Sequence, residues 1–258
     1  MKKNIKNWLN TIDVNTNAIE VRDLSVSPIN FLCLNQKDKI IDNVSFNVPK
    51  GKLTCFIGHN GAGKTTIVKS ILGIRKTSGG TISINGKSFK DVLARENIGY
   101  IPEKGNIEKI KAITFLKNIS QFYKMGKVDF KERVKHLAEI FNFPVKKLKL
   151  RLDKLSSGQN KIITIMQAFL SNPSIIIADE PTDNLDPETR DIFWDFIYDT
   201  RTKHPDLTFF IITHNLDEVE KYTDYIVVIQ NGKMKCEQEW KRKANLREAY
   251  KEMRSKWN

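Results

Sequence analysis

LTCFIGHNGAGKTTIVKSILGI, residues 53–74, decides the fold. Its first five residues are a short apolar run that stops at glycine, as a buried strand does. From Ala62 onward, apolar residues recur at helical spacing. Between the two lies a glycine-rich turn. GHNGAGKT fits the pattern of a phosphate-binding loop, with Gly58, Gly63, Lys64 and Thr65 at the required spacing. Phosphate oxygens need several N–H donors converging from one side, and a glycine-rich turn can bend around them without Cβ clashes. The helix that follows adds the positive end of its dipole. The loop comprises Gly58, His59, Asn60, Gly61, Ala62, Gly63, Lys64, Thr65 and Thr66. Lys64 supplies a mobile cation for β- and γ-phosphates, and Thr65 a hydroxyl for Mg²⁺. His59 reads as exposed filler.

Outward from this unit, AIEVRDLSV (18–26) and IIDNVSFNVP (40–49) read as strands by alternation and β-branching, and SGGTISING (78–86) as a strand between turns. From 103 to 173 the texture turns helical, in ITFLKNISQFYKMG, FKERVKHLAEIFNF and SSGQNKIITIMQAFLSN. Ser156 or Ser157 stands where the last of these helices would be capped. Strand signals return with SIIIAD (174–179), LTFFIITH (207–214) and YIVVIQNGK (225–233), and ETRDIFWDFIYDTRTK between the first two is helical. The reading is an α/β core interrupted by a helical insert and followed by a basic helical tail, 234–258.

Two further stretches carry chemistry. In SIIIADEP a hydrophobic strand ends in Asp179, placed to hold Mg²⁺, and Glu180 follows at once, placed to orient and deprotonate an attacking water. On its own this pair also reads as two solvated acids at a strand end; the phosphate loop upstream tips the balance. LSSGQ (155–159) has a serine hydroxyl and helix-terminal N–H groups suited to an anion. Yet one loop already surrounds the phosphates from its own side, so LSSGQ has no evident use within its own chain.

GHNGAGKTT, LSSGQNKIITIMQAFLSNPSIIIADEPTDNLDP and FFIITHNLDEVE, in this order and spacing, resemble the ATP-binding cassette (ABC) proteins over about residues 19–233. The resemblance implies a P-loop NTPase core with an N-terminal antiparallel β subdomain and an inserted α-helical subdomain. It places Lys64 and Thr65 on the Walker A positions, Asp179 on the Walker B aspartate, Glu180 on the catalytic glutamate and His214 on the γ-phosphate switch. Asp183, Asn184, Leu185 and Asp186 fall on the loop that couples two subunits. Leu155, Ser156, Ser157, Gly158 and Gln159 fall on the signature, which completes the ATP site of a facing subunit. Mg²⁺ would be held by Thr65, Glu103 and Asp179. Glu103 stands where many members have glutamine; the resemblance implies that glutamate here is familiar among cassettes resembling drug and bacteriocin exporters. Ser157 replaces a glycine and adds a Cβ near the phosphate. The adenine-stacking aromatic falls on Phe31, which reads equally well as a core phenylalanine.

Domain expectations follow: an extension at 1–17, an ATP-binding core at 18–102 and 174–233, a helical subdomain at 103–173, and the tail. The resemblance implies ATP and Mg²⁺ as cofactors. Its implied partners are a second cassette, identical or different, and separate membrane-spanning permease subunits. The place is the cytoplasmic face of the cell membrane, held peripherally. Apolar runs are of strand length, well short of the roughly 18–20 residues a spanning helix needs. The N-terminus lacks the apolar core of a secretory signal, and Cys33, Cys55 and Cys236 suggest neither a disulfide framework nor a metal cluster. The net charge of +13 leaves open a soluble ATPase acting on nucleic acid, ribosomes or an assembly system. A single cassette with a short insert argues for transport instead, with no nucleic acid partner expected.

Overall fold

The computed structural model describes residues 17–28, 39–105 and 108–240. Phe31, all but the last residue of the extension expected at 1–17, and the part of the expected tail beyond residue 240 lie outside them. Strands β1 (Asn17–Val26) and β2 (Ile41–Pro49) pair antiparallel. β3 (Leu53–Ile57) and helix α1 (Lys64–Ile71) flank the glycine turn. β4 (Gly79–Ile84) returns to β1, with β5 (Lys87–Ser88) beyond it, giving a four-stranded sheet ordered β2-β1-β4-β5. A short α2 (Val92–Arg95) leads to β6 (Ile98–Ile101).

The chain then leaves for α3 (Ala112–Phe122), α4 (Lys127–Ile140) and α5 (Ser157–Phe169), and returns through β7 (Ile175–Asp179), α6 (Pro187–Lys203), β8 (Thr208–Ile212), α7 (Leu216–Tyr222), β9 (Tyr225–Gln230) and β10 (Lys233–Glu239). The second sheet is ordered β10-β9-β3-β8-β7-β6. Its pairs β9-β3, β3-β8, β8-β7 and β7-β6 are parallel, and β10 closes the edge antiparallel. Every residue of β3, β7 and β8 is buried, because both faces are covered.

Period-two alternation divides these strands between two cores. Leu53, Cys55 and Ile57 join the helices of the insert, and Phe56 joins β1, β2 and α1. On the latter side Phe56 lies 5.3 Å from Phe46 and 5.5 Å from Phe210, ring centre to ring centre, fastening one sheet to the other. Burial of Cys55 lifts its thiol to about 12, so it is a packing residue.

Residues 234–239 overturn part of the helical-tail expectation: they form most of β10. The cause is local. Asn231 and Gly232 take φ of 49° and 71°, as a two-residue hairpin turn requires, and Met234 then pairs with Ile229. The basic composition of the segment hides an Asn-Gly signal that is present in the sequence. β6 also goes unread there, being four residues long with a glycine among them.

Candidate functional site

The site is assembled where the parallel strands end. Gly63 caps α1 with φ of 102°, in a region L-residues avoid, and a Cβ there would collide with the Ile41 side chain. The loop is braced from the β9-β10 turn: Gly232 N–H donates to Ala62 O at 3.1 Å, and His59 Nε2 lies 3.0 Å from Asn231 Oδ1. His59 is therefore more than filler. Its partner lies 172 residues away, beyond the reach of any local pattern.

Lys64 Nζ donates to Gly58 O at 2.6 Å and to His59 O at 3.1 Å. Burial holds its ammonium below the usual lysine range, opposed by the charges of Glu180, Asp179 and Glu103. Thr65 Oγ1 donates to Asp179 Oδ2 at 2.8 Å, joining the first turn of α1 to the end of β7. Asp179 is 1% exposed. Burial raises its pKa, the Thr65 hydrogen bond lowers it, and the charge of Glu103 raises it further.

Glu180 takes the next step of the chain in the left-handed region, φ 47°, a strained backbone for a glutamate. Its N–H donates to Ile212 O at 2.9 Å, which follows from the β7-β8 register that sets Asp179 beside Ile212. Its carboxylate lies 3.0 Å from His214 Nδ1 and accepts from His214 N–H at 3.3 Å. Burial raises the Glu180 pKa, and the hydrogen bond to Glu180 raises that of His214. Asp183 joins these two, its carboxylate oxygen within 4.8 Å of the Glu180 and His214 ligand atoms.

A recess of about 510 Å³ gathers Asn60–Thr66, Glu103, Asp179, Glu180, Asp183 and His214, with Ile40 at its apolar edge. Ile40, read from sequence only as the start of a strand and not as a site residue, carries no motif that would mark it. Residues 155–159 do not line this recess. They open α5, where Ser156 Oγ accepts from Gln159 N–H at 3.2 Å and Gln159 Oε1 accepts from Ser156 N–H at 3.3 Å, a reciprocal capping box. Gly158 lies against the 183–186 loop, where a Cβ would stand 2.8 Å from Asn184 O. Asn184 itself has φ of 66°. Leu185 is buried, and Asp186 caps α6, accepting from Thr189 N–H at 2.9 Å.

A family model described as ABC transporter matches residues 41–183. The chain belongs to the ABC transporter ATP-binding family. A Mycoplasma pneumoniae protein described as an ABC transporter ATP-binding protein is 34% identical over 205 residues, covering 77% of this chain and 61% of its own length. The cassette thus spans about three fifths of that relative. The Nod factor export ATP-binding protein I of Burkholderia orbicola is 30% identical over 218 residues, covering 81% of this chain and 70% of its own. Among solved structures, an ATP-binding subunit of an ABC transporter superposes with a TM-score of 0.81 at 28% identity, covering 92% of this chain and 99% of that one. The cassette fold expected from the motifs is the fold found. Among the described residues no helix is long and apolar enough to cross a membrane.

The donors suit the groups the family implies. Hydroxyl and carboxylate oxygens from Thr65, Glu103 and Asp179 face one recess, a hard oxygen set of the kind Mg²⁺ prefers. The loop 60–66 offers backbone N–H groups and the Lys64 ammonium beside it, as a polyphosphate requires.

Proposed function

We propose that this chain is the ATP-binding and ATP-hydrolysing subunit of an ABC transporter, paired with a second cassette around two ATP and driving export through separate membrane-spanning subunits. One observation carries the reading. Lys64, Thr65, Asp179, Glu180 and His214 converge on a single recess, while the turn at 155–159 lies outside it. The turn is then free to act on a neighbour. Residues 18–102 and 174–233 serve as the ATP-binding core, and 103–173 as the helical subdomain that brings the signature to the partner.

In this mechanism the loop Gly58–Thr66 and Lys64 cradle the β- and γ-phosphates. Thr65, Glu103 and Asp179 would hold Mg²⁺, which when bound neutralises phosphate charge. Glu180 takes the proton of the attacking water. Its burial supports that role, because a carboxyl raised above its usual range is a better base. His214, bonded to Glu180, orients it and faces the γ-phosphate. The coupling loop 183–186 packs against Gly158, so a change at one subunit's signature reaches the other's site through a short path.

Two large apolar side chains support docking to a membrane subunit: Phe122 at the end of α3 is 75% exposed and Val128 at the start of α4 is 67% exposed. They flank the turn that joins the two helices. Export rests on Glu103 and on the likeness to the Nod factor protein. The location at the cytoplasmic membrane face follows from the same reading.

Glu180→Gln tests it. The variant should bind ATP, lose about 10²–10⁴-fold in turnover, and elute as an ATP-dependent dimer in gel filtration. Wild-type turnover in that variant removes Glu180 from the role of base.

A further inference from the structure

Lys161 lies in α5, two residues beyond the LSSGQ turn, and is 1% exposed. Its ammonium donates three hydrogen bonds: to Glu103 O at 2.7 Å, to Pro102 O at 3.0 Å and to Glu180 O at 3.0 Å. An ammonium has three donors, and all three are used. The acceptors come from two separate segments, the turn leaving β6 and the turn leaving β7. They are backbone carbonyls, so the Glu103 and Glu180 carboxylates stay available for metal and water.

Burying a cation is costly unless acids compensate. Here the charges of Asp183, Asp179, Glu103 and Glu180 oppose the cost of burial. The staple is also where strain is stored. Glu180 is left-handed, its N–H is fixed by Ile212 O and its C=O by Lys161. Both sides of the peptide frame of the acid are therefore pinned, one by the sheet and the other by α5.

We propose that Lys161 is a positioning residue for ATP hydrolysis: by holding the backbones of Pro102, Glu103 and Glu180 to one point on α5, it fixes the two carboxylates relative to each other and to the signature turn on the same helix. This rests on the ATPase reading above. Lys161 does not line the recess and spends its donors on backbone carbonyls, so its effect is on geometry. A displacement near 1 Å at a reacting centre costs on the order of 10² in rate.

The experiment compares wild type, Lys161→Met and Lys161→Gln in the full chain, measuring kcat, ATP affinity by equilibrium binding and melting temperature. Methionine keeps the volume and loses every donor. Glutamine loses the charge and keeps two donors. Lys161→Met should lose roughly 10²-fold in kcat with ATP affinity changed by less than about threefold. Lys161→Gln should regain at least about tenfold of that loss, since donors rather than charge do the positioning. Should Lys161→Met fail to fold, Lys161→Ala, which admits water to the three carbonyls, takes its place. A kcat within threefold of wild type in the methionine or alanine variant overturns the proposal. So does an equal loss of kcat and affinity with no recovery by glutamine, which marks a packing role alone. Wild type without ATPase activity would instead defeat the enzymatic reading, so the two failures are distinguishable.

Discussion

The glycine turn at 58–63 and the glycine-bearing turn at 155–158 each open a helix, yet their surroundings differ. Around the first, side chains gather from three other parts of the chain: Asp179 and Glu180 from the end of β7 and His214 from beyond β8 line the same recess, and Asn231 of the β9-β10 turn meets His59. Around the second, Ser156 and Gln159 cap each other, and the nearest chemistry is the carbonyl of Asn184. The first turn is embedded in a charged network; the second is self-contained and presented. That contrast is what the proposed two-subunit site requires of its two halves.

The largest effect should come from separating the two turns. Lys64→Ala and Ser156→Arg should each remove ATPase activity when every subunit carries the change. Mixing the two proteins should restore it, because one composite site then carries both lesions and the other neither. No recovery on mixing, with dimers verified by gel filtration, would mean that each chain uses its own signature.

A smaller change sharpens the first turn alone. Thr65→Val removes the hydroxyl that joins α1 to Asp179 and leaves a buried carboxylate short of a donor. Stability should fall by about 1–3 kcal/mol, read by denaturant unfolding, and half-maximal activity should require more Mg²⁺. For the second turn, Ser156→Ala deletes the cap of α5 and should cost about 1 kcal/mol, with ATP binding to the isolated chain unchanged. If Ser156→Ala weakened that binding as Lys64→Ala does, the contrast between the turns would collapse.

The least effect is a pH dependence at the Glu180–His214 pair beside the first turn. His214 is 60% exposed at its side chain and its pKa is raised by Glu180. A histidine raised on folding contributes stability that is full below its unfolded value, near 6.5, and lost as pH rises through the folded value. The melting temperature of the wild type should therefore fall slightly more than that of His214→Gln between pH 6 and pH 8.5, and parallel curves would count against the pair.

The first turn was legible because strand, glycine loop and helix are adjacent in sequence and each has its own local signature. Asp179 and Glu180 were legible as the end of a run of isoleucines. What stayed hidden depends on register. Lys161 interrupts the apolar stripe of α5 as any solvated lysine would, and only the fold shows three carbonyls waiting for it. Ile40 and Asn231 reach the loop from segments that carry no chemistry of their own. The strand at Lys233–Glu239 was obscured by composition, although its turn was written plainly as Asn-Gly.

Glu180 also bears on how this sequence can change over generations. Where the described backbone turns left-handed without glycine, the chain mostly places asparagine: 43, 85, 142, 172, 184 and 231. At 180 it tolerates glutamate in the same conformation. Asparagine or glycine there would relax the peptide, so if Glu180 is the base proposed above, mutational drift toward a more comfortable fold and selection for turnover pull this one position in opposite directions. A copy of the gene released from its duty should lose the acid early and fold the better for it.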